Sequence, residues 1–418
     1  MFRRIPDRNI WVIYAVVLLL GIAYGTSIAV LAVHLAAHGI PKLAMGGLAA
    51  SFALGIIALS IPAGWIVQRF GAKATLAAAL GGYAICVTSF PFLSTLVGLS
   101  VARFFDGAFS VGVWVAAETA LLSRSDRSNK GLVMSLYAIS LALGYVVGPL
   151  LASFVVRASG TGTAFVVAGG LACLAIVVVA FALDGAAKGT AASSAHGDDD
   201  LAPESGVTTA LEPAAPSTAS AIFWRTKTSY FATFTYGYFQ ASVVLFMPLY
   251  LIAAKDVPAD RTILVTAFFA AGMLVMSTWA GRLGDRHGHL LVMRVLAAIG
   301  GTMVAGFVLM PSFALMCVAV FVAGATLASI SPVSLALQGV VTPRSELGRA
   351  NAFYNASYAA GMLVGPPVSG LLFTRYGGAT MLFHLAGLWA GFVVLTVLFA
   401  ADDPRHASSS RAMRAMLR

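Results

Sequence analysis

The 418-residue chain is 59% hydrophobic and only 10% charged, with a formal net charge of +10. Soluble proteins carry roughly 25% charged residues, so this balance excludes a soluble globular protein. The basic surplus raises a nucleic-acid partner, which the placement of the Lys and Arg residues argues against.

Twelve apolar stretches are each long enough to cross ~30 Å of hydrocarbon. They lie at about 10–35, 43–67, 74–94, 96–122, 131–156, 163–183, 226–252, 262–281, 290–310, 313–340, 348–373 and 379–400. The first follows Arg3 and Arg4 but exceeds the 7–15-residue core of a secretion signal and ends in no small-residue cleavage site. It reads as a first span. Cys86, Cys173 and Cys317 all fall in apolar stretches without paired spacing, which predicts neither a disulfide framework nor a zinc site.

Between the sixth and seventh stretches the composition turns to Ala, Ser, Gly, Thr, Asp and Pro, with Asp198, Asp199 and Asp200 in a row. Such a segment cannot bury enough apolar area to offset its ordering entropy. The predicted organisation is therefore a six-helix bundle over 1–183, a flexible linker over 184–224, a second six-helix bundle over 225–401 and a basic tail over 402–418. With the N-terminus placed inside, 20 of the 26 Lys and Arg residues fall on the cytoplasmic side. Lys42, Arg157, Lys255, Arg261 and Arg375 fall opposite, and Arg103 lies within a span. The positive-inside rule then predicts cytoplasmic termini in a cytoplasmic, inner-type membrane. The basic residues face lipid and need no nucleic acid.

The two bundles repeat at an offset of 217 residues. Gly55, Gly64, Gly71, Gly107, Gly131, Gly144 and Gly148 match Gly272, Gly281, Gly288, Gly324, Gly348, Gly361 and Gly365 without a gap. About one such coincidence is expected by chance, so the chain reads as a duplication. Parallel repeats with a site between them are a transporter architecture.

Motifs sharpen this. The turn after the second stretch reads Gly64-x-x-x-Gln68-Arg69-x-Gly71, and its repeat reads Gly281-x-x-x-Asp285-Arg286-x-Gly288. Glycine permits the tight turn. The fifth and eleventh stretches carry Gly144-x-x-x-Gly148-Pro149 and Gly361-x-x-x-Gly365-Pro366, small-residue spacings that let helices approach closely. Their presence in both halves favours packing over a directional role. In the fourth stretch Arg103, Asp106, Ser110, Trp114 and Glu118 fall on one helical face. A charge at bilayer depth is costly and faces a cavity or a partner. Asp106 has two open readings, proton carrier or neutralising partner of Arg103. Glu118, about 18 Å further along the helix, carries protons or pairs with Arg69 or Arg127; its near-interfacial depth favours the pairing. Tyr24, Ser110, Trp114, Tyr236, Gln240, Asn355 and Tyr358 are substrate-cavity candidates, with Ser334 and Gln338 as further polar residues within the bundle. His34, His38 and His384 stand apart from one another.

The Gly-x-x-x-Asp-Arg-x-Gly turn and the Arg103/Gly107 pair resemble the signature motifs of the major facilitator superfamily. The fourth stretch, the run Met247-Pro248-Leu249-Tyr250-Leu251 and the acid-lacking Gln68-Arg69 turn resemble its YcaD-type members. The Gly144/Gly148/Pro149 motif resembles that of the drug:proton antiporter branch. The resemblance implies an all-α integral membrane fold of twelve transmembrane helices in two pseudo-symmetric bundles. It also implies alternating access, a gate latch at Gln68, Arg69, Asp285 and Arg286, and an Arg103 that promotes proton release from a nearby acid. No Gly-Lys-Ser/Thr phosphate loop is present, and no enzyme signature, cofactor or metal is expected. The expected activity is proton-coupled efflux of a hydrophobic or amphipathic compound by a monomer. The alternative is proton-linked metabolite uptake.

Overall fold

The computed structural model describes residues 7–125, 130–184, 218–343 and 346–403. Most of the predicted linker, nearly all of the predicted tail, and Arg127 lie outside them. Long helices run through the first half as α1 (Arg8–Ala37), α2 (Lys42–Phe70), α3 (Ala72–Ser89), α4 (Leu96–Ser123), α5 (Lys130–Ser159) and α6 (Thr161–Ala182). The second half contains α7 (Ala219–Lys255), the short α8 (Ala259–Thr262), α9 (Leu264–His287), α10 (His289–Gly306), α11 (Phe313–Leu327), α12 (Ile330–Val341), α13 (Leu347–Tyr376) and α14 (Gly378–Leu398). Among the described residues there are no strands. Twelve spans are long and apolar enough to cross a membrane. Only a helix satisfies every backbone polar group within its own segment in lipid, which is why apolar runs of this length take this form.

Two elements differ from the sequence reading. Helix α7 begins at Ala219, inside the stretch read as linker, because Thr218 caps it by accepting a hydrogen bond from Ala221 N at 3.2 Å. The tenth span is broken into α11 and α12 at Ala328 and Ser329. Pro332 has no N–H to give the Ala328 carbonyl, and the ladder lapses into a turn there, although Pro62, Pro149, Pro248 and Pro366 sit inside helices that run on.

The duplication reappears as geometry. Helices α2 and α4 cross where Gly55 lies against the Phe104 carbonyl and Gly107 against the Phe52 carbonyl. Helices α9 and α11 cross where Gly272 meets the Phe321 carbonyl and Gly324 the Phe269 carbonyl, each 217 residues on. Gly144 and Gly148 of α5 pack on Gly21 and Gly25 of α1, and Gly361 and Gly365 of α13 pack on Tyr238 and Ser242 of α7, at the same offset. The small-residue motifs are helix-crossing points in both halves.

One end of the bundle carries Arg69, Arg124, Arg225, Arg282 and Arg286; Lys42, Arg157 and Asp260 mark the other. The halves meet along α2–α13 and α5–α9. They close at the second end, where a Cβ on Gly46 would collide with Pro366 and Pro367, and Lys42 Nζ sits 4.4 Å from the Phe373 ring centre. Arg157 Nε bonds Asp260 Oδ2 at 2.5 Å, and Ser153 Oγ donates to the Asp260 carbonyl at 2.9 Å. Among pairs of described residues this is the one ion pair joining the halves. At the basic end Arg124–Asp7, Arg225–Glu346 and Lys227–Asp402 each stay within a half.

A Gly107→Ala variant is expected to lose about 1–3 kcal/mol of stability, because the added methyl meets backbone. Gly64 has nothing within 4 Å of its Cβ position, so Gly64→Ala is expected to gain roughly 1 kcal/mol of helix propensity. Thermal unfolding of both in one detergent checks the contrast.

Candidate functional site

The site is organised by α4. Arg103 and Asp106, one turn apart, form an ion pair, with side chains 8% and 4% exposed. The guanidinium lies 4.3 Å from the Phe52 ring centre on α2. Tyr83 and Cys86 of α3 stand near the carboxylate on another side, and Ser110 lies one turn along, its buried hydroxyl without a partner among the described residues. Tyr83 in turn contacts Ser27 of α1 at 3.3 Å. Asp106 Oδ1 and Arg103 Nε have no partner among the described residues. The pair is therefore held inside the first half. Low dielectric makes its attraction strong and the loss of either partner expensive.

The single helical face expected for Arg103, Asp106, Ser110, Trp114 and Glu118 splits in two. Arg103, Asp106 and Ser110 are buried, at 6%, 3% and 1% exposed, while Trp114 and Glu118 are half-buried. The cause is the crossing at Gly107, which brings α2 over this part of α4, together with α3, where Gly82 accepts the Phe109 ring. Further along, α4 emerges toward the surface between the halves.

Glu118 does not pair with Arg69. Arg69 lies over Trp65 and Phe70 of its own helix, 5.3 and 5.7 Å from the ring centres, and neither Glu118 nor Arg69 has an ion pair among the described residues. Glu118 instead sits within hydrogen-bonding reach of Tyr137 on α5. Tyr354, the repeat of Tyr137, makes the matching reach from α13 to α12, contacting Ser331 Oγ at 3.1 Å and Ser334 Oγ at 2.9 Å. The Tyr137/Tyr354 match in the sequence was the available signal for this contact.

The surface between the halves is aromatic. Tyr24 contacts Phe52, Trp114 and Tyr145 at ring separations of 6.1, 6.5 and 5.5 Å. Met362 of α13 packs on the same patch. Across from it, Tyr358 stacks on Tyr236 at 6.1 Å and donates to Gln240 Oε1 at 2.7 Å. Tyr24 and Tyr145 lie near Tyr358. The structure thus gathers Tyr24, Trp114, Tyr236, Gln240 and Tyr358, adds Phe52, Tyr145 and Met362, which the sequence reading did not name, and keeps Ser110 buried beside Asp106 inside the first half. Asn355 stays exposed, off this cluster.

The turn glycines Gly71 and Gly288 take φ of +84° and +98°. Gln68 is exposed. Asp285 contacts the His289 ring at 3.4 Å, and Arg286 is exposed. A residue the motif did not predict closes the second turn: Asp403 accepts from Leu290 N at 3.1 Å. The histidines are not isolated. His34 and His38 rings lie 4.2 Å apart, with His34 Nδ1 2.8 Å from Thr161 Oγ1, and His384 Nε2 is 2.8 Å from Tyr238 OH. Among the described residues no group of three or more His, Cys, Asp and Glu could hold a metal.

The family model described as Major Facilitator Superfamily matches residues 13–258 and 229–416. The chain belongs to the major facilitator superfamily. A relative named as an uncharacterized MFS-type transporter, YcaD, of Salmonella enteritidis PT4 is 23% identical over 412 residues, covering 95% of this chain and 97% of that one. An uncharacterized MFS-type transporter of Methanocaldococcus jannaschii is 24% identical over 172 residues, which is 41% of this chain and 45% of its own length. Among solved structures, a mutant of the nucleoside transporter NupG superposes with a TM-score of 0.77 at 12% identity, covering 93% of this chain and 99% of that chain. A bacterial homologue of the human lysosomal transporter Spinster, inward-facing and occupied, gives 0.70 at 14% identity, covering 96% of each chain. These likenesses establish the superfamily fold and a multi-pass membrane transporter.

Within that superfamily fold the ion pair on α4 makes a stability prediction. Arg103→Ala and Asp106→Ala are each expected to cost about 3–5 kcal/mol, while Arg103→Leu/Asp106→Leu costs far less than their sum because no unpaired charge is left buried. A double-mutant cycle by thermal unfolding reads the coupling, and additive losses would refute it.

Proposed function

We propose that this transporter exports a hydrophobic or amphipathic organic solute across the bacterial cytoplasmic membrane in exchange for protons, acting as a monomer by rocking its two halves. The observation that carries the reading is the placement of acid. Of the 16 Asp and Glu residues, three lie within the described spans: Asp106 and Glu118 on α4, and Asp260 at the very start of its span, where it pairs with Arg157 at the closed end. Asp106 is the deepest, and Arg103 is its partner. Protonating Asp106 removes the negative member of a buried pair and leaves Arg103 to the Phe52 ring, so occupancy by a proton changes what that part of the half prefers to pack against. The solute surface of Tyr24, Trp114, Tyr145, Tyr236 and Tyr358 offers aromatic faces and hydroxyls without a formal charge, which suits a neutral or weakly polar amphiphile. The direction, export, rests on the fit of that surface to an amphiphile, since the Gly144/Gly148/Pro149 motif packs helices in both halves alike. With the basic end assigned to the cytoplasm, the closed end faces out and the conformation is inward-facing.

A second reading, proton-linked uptake of a polar metabolite, is favoured by the Gln240–Tyr358 hydrogen bond, whose amide and hydroxyl suit a hydrogen-bonding solute. External acid would then stimulate inward accumulation of labelled solute.

In everted vesicles with an imposed pH gradient, amphipathic compounds are expected to collapse the gradient in the native protein and not in Asp106→Asn. Unchanged collapse in Asp106→Asn would remove that residue from coupling. For the rocking motion, a Ser153→Cys/Asp260→Cys variant in a background without Cys86, Cys173 and Cys317 is expected to stop transport on oxidation and regain it on reduction.

A further inference from the structure

The duplication supplies an internal comparison that isolates a polar seam in the second half. Counting 100° per residue along α7, Ser229, Thr233, Tyr236 and Gln240 fall within about 60° of one another. The opposite face, Phe234, Tyr238 and Ser242, packs on α13, and Phe231 and Phe239 turn to Phe392 and Trp389 of α14. The stripe therefore faces α12 and the surface between the halves. At its foot Arg225 pairs with Glu346, just past α12, at 2.9 Å. At its head Gln240 accepts from Tyr358. On α12, Ser334, Gln338 and Thr342 follow at four-residue steps, and Ser334 and Gln338 are 0% exposed.

Ser229 and Thr233 are also 0% exposed, and their hydroxyls, like that of Thr342, have no partner among the described residues. Ser110, Tyr230 and Thr235 share this state off the seam, whereas other hydroxyls are satisfied within their own helix. Thr26, Ser60, Thr226 and Ser277 each return their hydroxyl to the carbonyl four residues back. A buried hydroxyl without a partner costs free energy, so a seam containing three of them needs an explanation.

The first half shows that the seam does not need them. The glycine crossings fix the register at 217, so Ser229 and Thr233 correspond to Val12 and Val16, and Ser334 and Gln338 to Ala117 and Leu121. Val16, Ala117 and Leu121 are each 0% exposed. At these positions the same fold uses hydrocarbon, while Thr342 corresponds to Ser125, whose hydroxyl donates to the Leu121 carbonyl at 2.6 Å.

We propose that the α7–α12 seam is a binding site for water. The waters would bridge Ser229, Thr233, Gln338 and Thr342 and form a polar path from the Arg225–Glu346 pair to the Gln240–Tyr358 pair. A buried water needs two to four polar partners, which this donor set supplies. A metal cation is the poorer occupant, because the acid at the foot of the seam, Glu346, is already engaged by Arg225 and burying an uncompensated charge is costly. The site stands whether or not Asp106 carries protons.

Hydroxyl-radical footprinting of the full chain in lipid nanodiscs tests it, since radicals generated from bound water mark the side chains beside it. Leu337 and Leu121 are nearly equally buried, at 1% and 0% exposed, and lie in the two equivalent regions. Leu337 is expected to label strongly and Leu121 not. The Ser229→Val/Thr233→Val variant, which installs the valines of the first half, is expected to lose the Leu337 label while melting at or above the native temperature. Equal labelling of Leu337 and Leu121 in the native protein, or a Leu337 label that persists in a folded variant, overturns the proposal. The native comparison decides the question even where the variant does not fold.

Discussion

Contact between helix backbones at glycine is the interaction on which the other features depend. In lipid, helices gain little from hiding apolar side chains from one another, so association rests on close van der Waals contact and a few hydrogen bonds. Gly55 against Phe104 and Gly107 against Phe52 bring α2 and α4 together at the level where Arg103 and Asp106 must be hidden. With side chains at those two positions α2 would stand off, and the ring of Phe52 could not cover the guanidinium at 4.3 Å. The charge pair is thus a consequence of the crossing. Its counterpart in the second half, Gly272 and Gly324, makes the same crossing around Ala323 in place of Asp106. The duplicated fold tolerates a charge there and does not require one.

Much of this was legible in the sequence because the signals are local or periodic. Span length, the 217-residue offset and the Gly-x-x-x-Gly steps depend on residues close in the chain, and Arg103 and Asp106 are one turn apart. What escaped depends on a neighbouring helix. Helical angles alone put Trp114 and Glu118 on the same face as Asp106; that face is divided by where α2 and α3 cover it. Glu118 meets Tyr137 from α5 and not Arg69, because Arg69 turns back onto Trp65. The start of α7 was hidden by composition: Thr218-Ala219-Ser220 reads as linker until the cap at Thr218 is seen. The break at Ala328–Ser329 lies one turn before Pro332, but a proline alone does not foretell it, since Pro62, Pro149 and Pro248 interrupt no helix.

The two halves share a frame and have diverged in the polar groups they bury. The first half holds a charge pair on α4 and packs its α1–α4 seam with Val16, Ala117 and Leu121. The second half has its one span acid, Asp260, at the closed end, and buries Ser229, Thr233, Ser334 and Gln338 along α7 and α12. It also breaks the helix at the equivalent level. A charge concentrates its effect at one depth, whereas hydroxyls and an amide spread weaker dipoles over several turns. One duplicated frame thus encloses two interiors of different chemistry.

The contacts that join the halves are weak compared with those within them. At the closed end Arg157 and Asp260 have side chains 56% and 25% exposed, and ion pairs in such settings contribute about 0–1 kcal/mol. Lys42 over Phe373 adds roughly 0.5–1 kcal/mol. Inside each half, the glycine crossings place backbone against backbone, where even one methyl is resisted. The frame is therefore stiff within halves and soft between them. Two states separated by a few kcal/mol are shifted by any ligand with that much differential affinity. Under the proposed coupling, the loss or gain of a partner for Arg103 inside one half would be a change of that size.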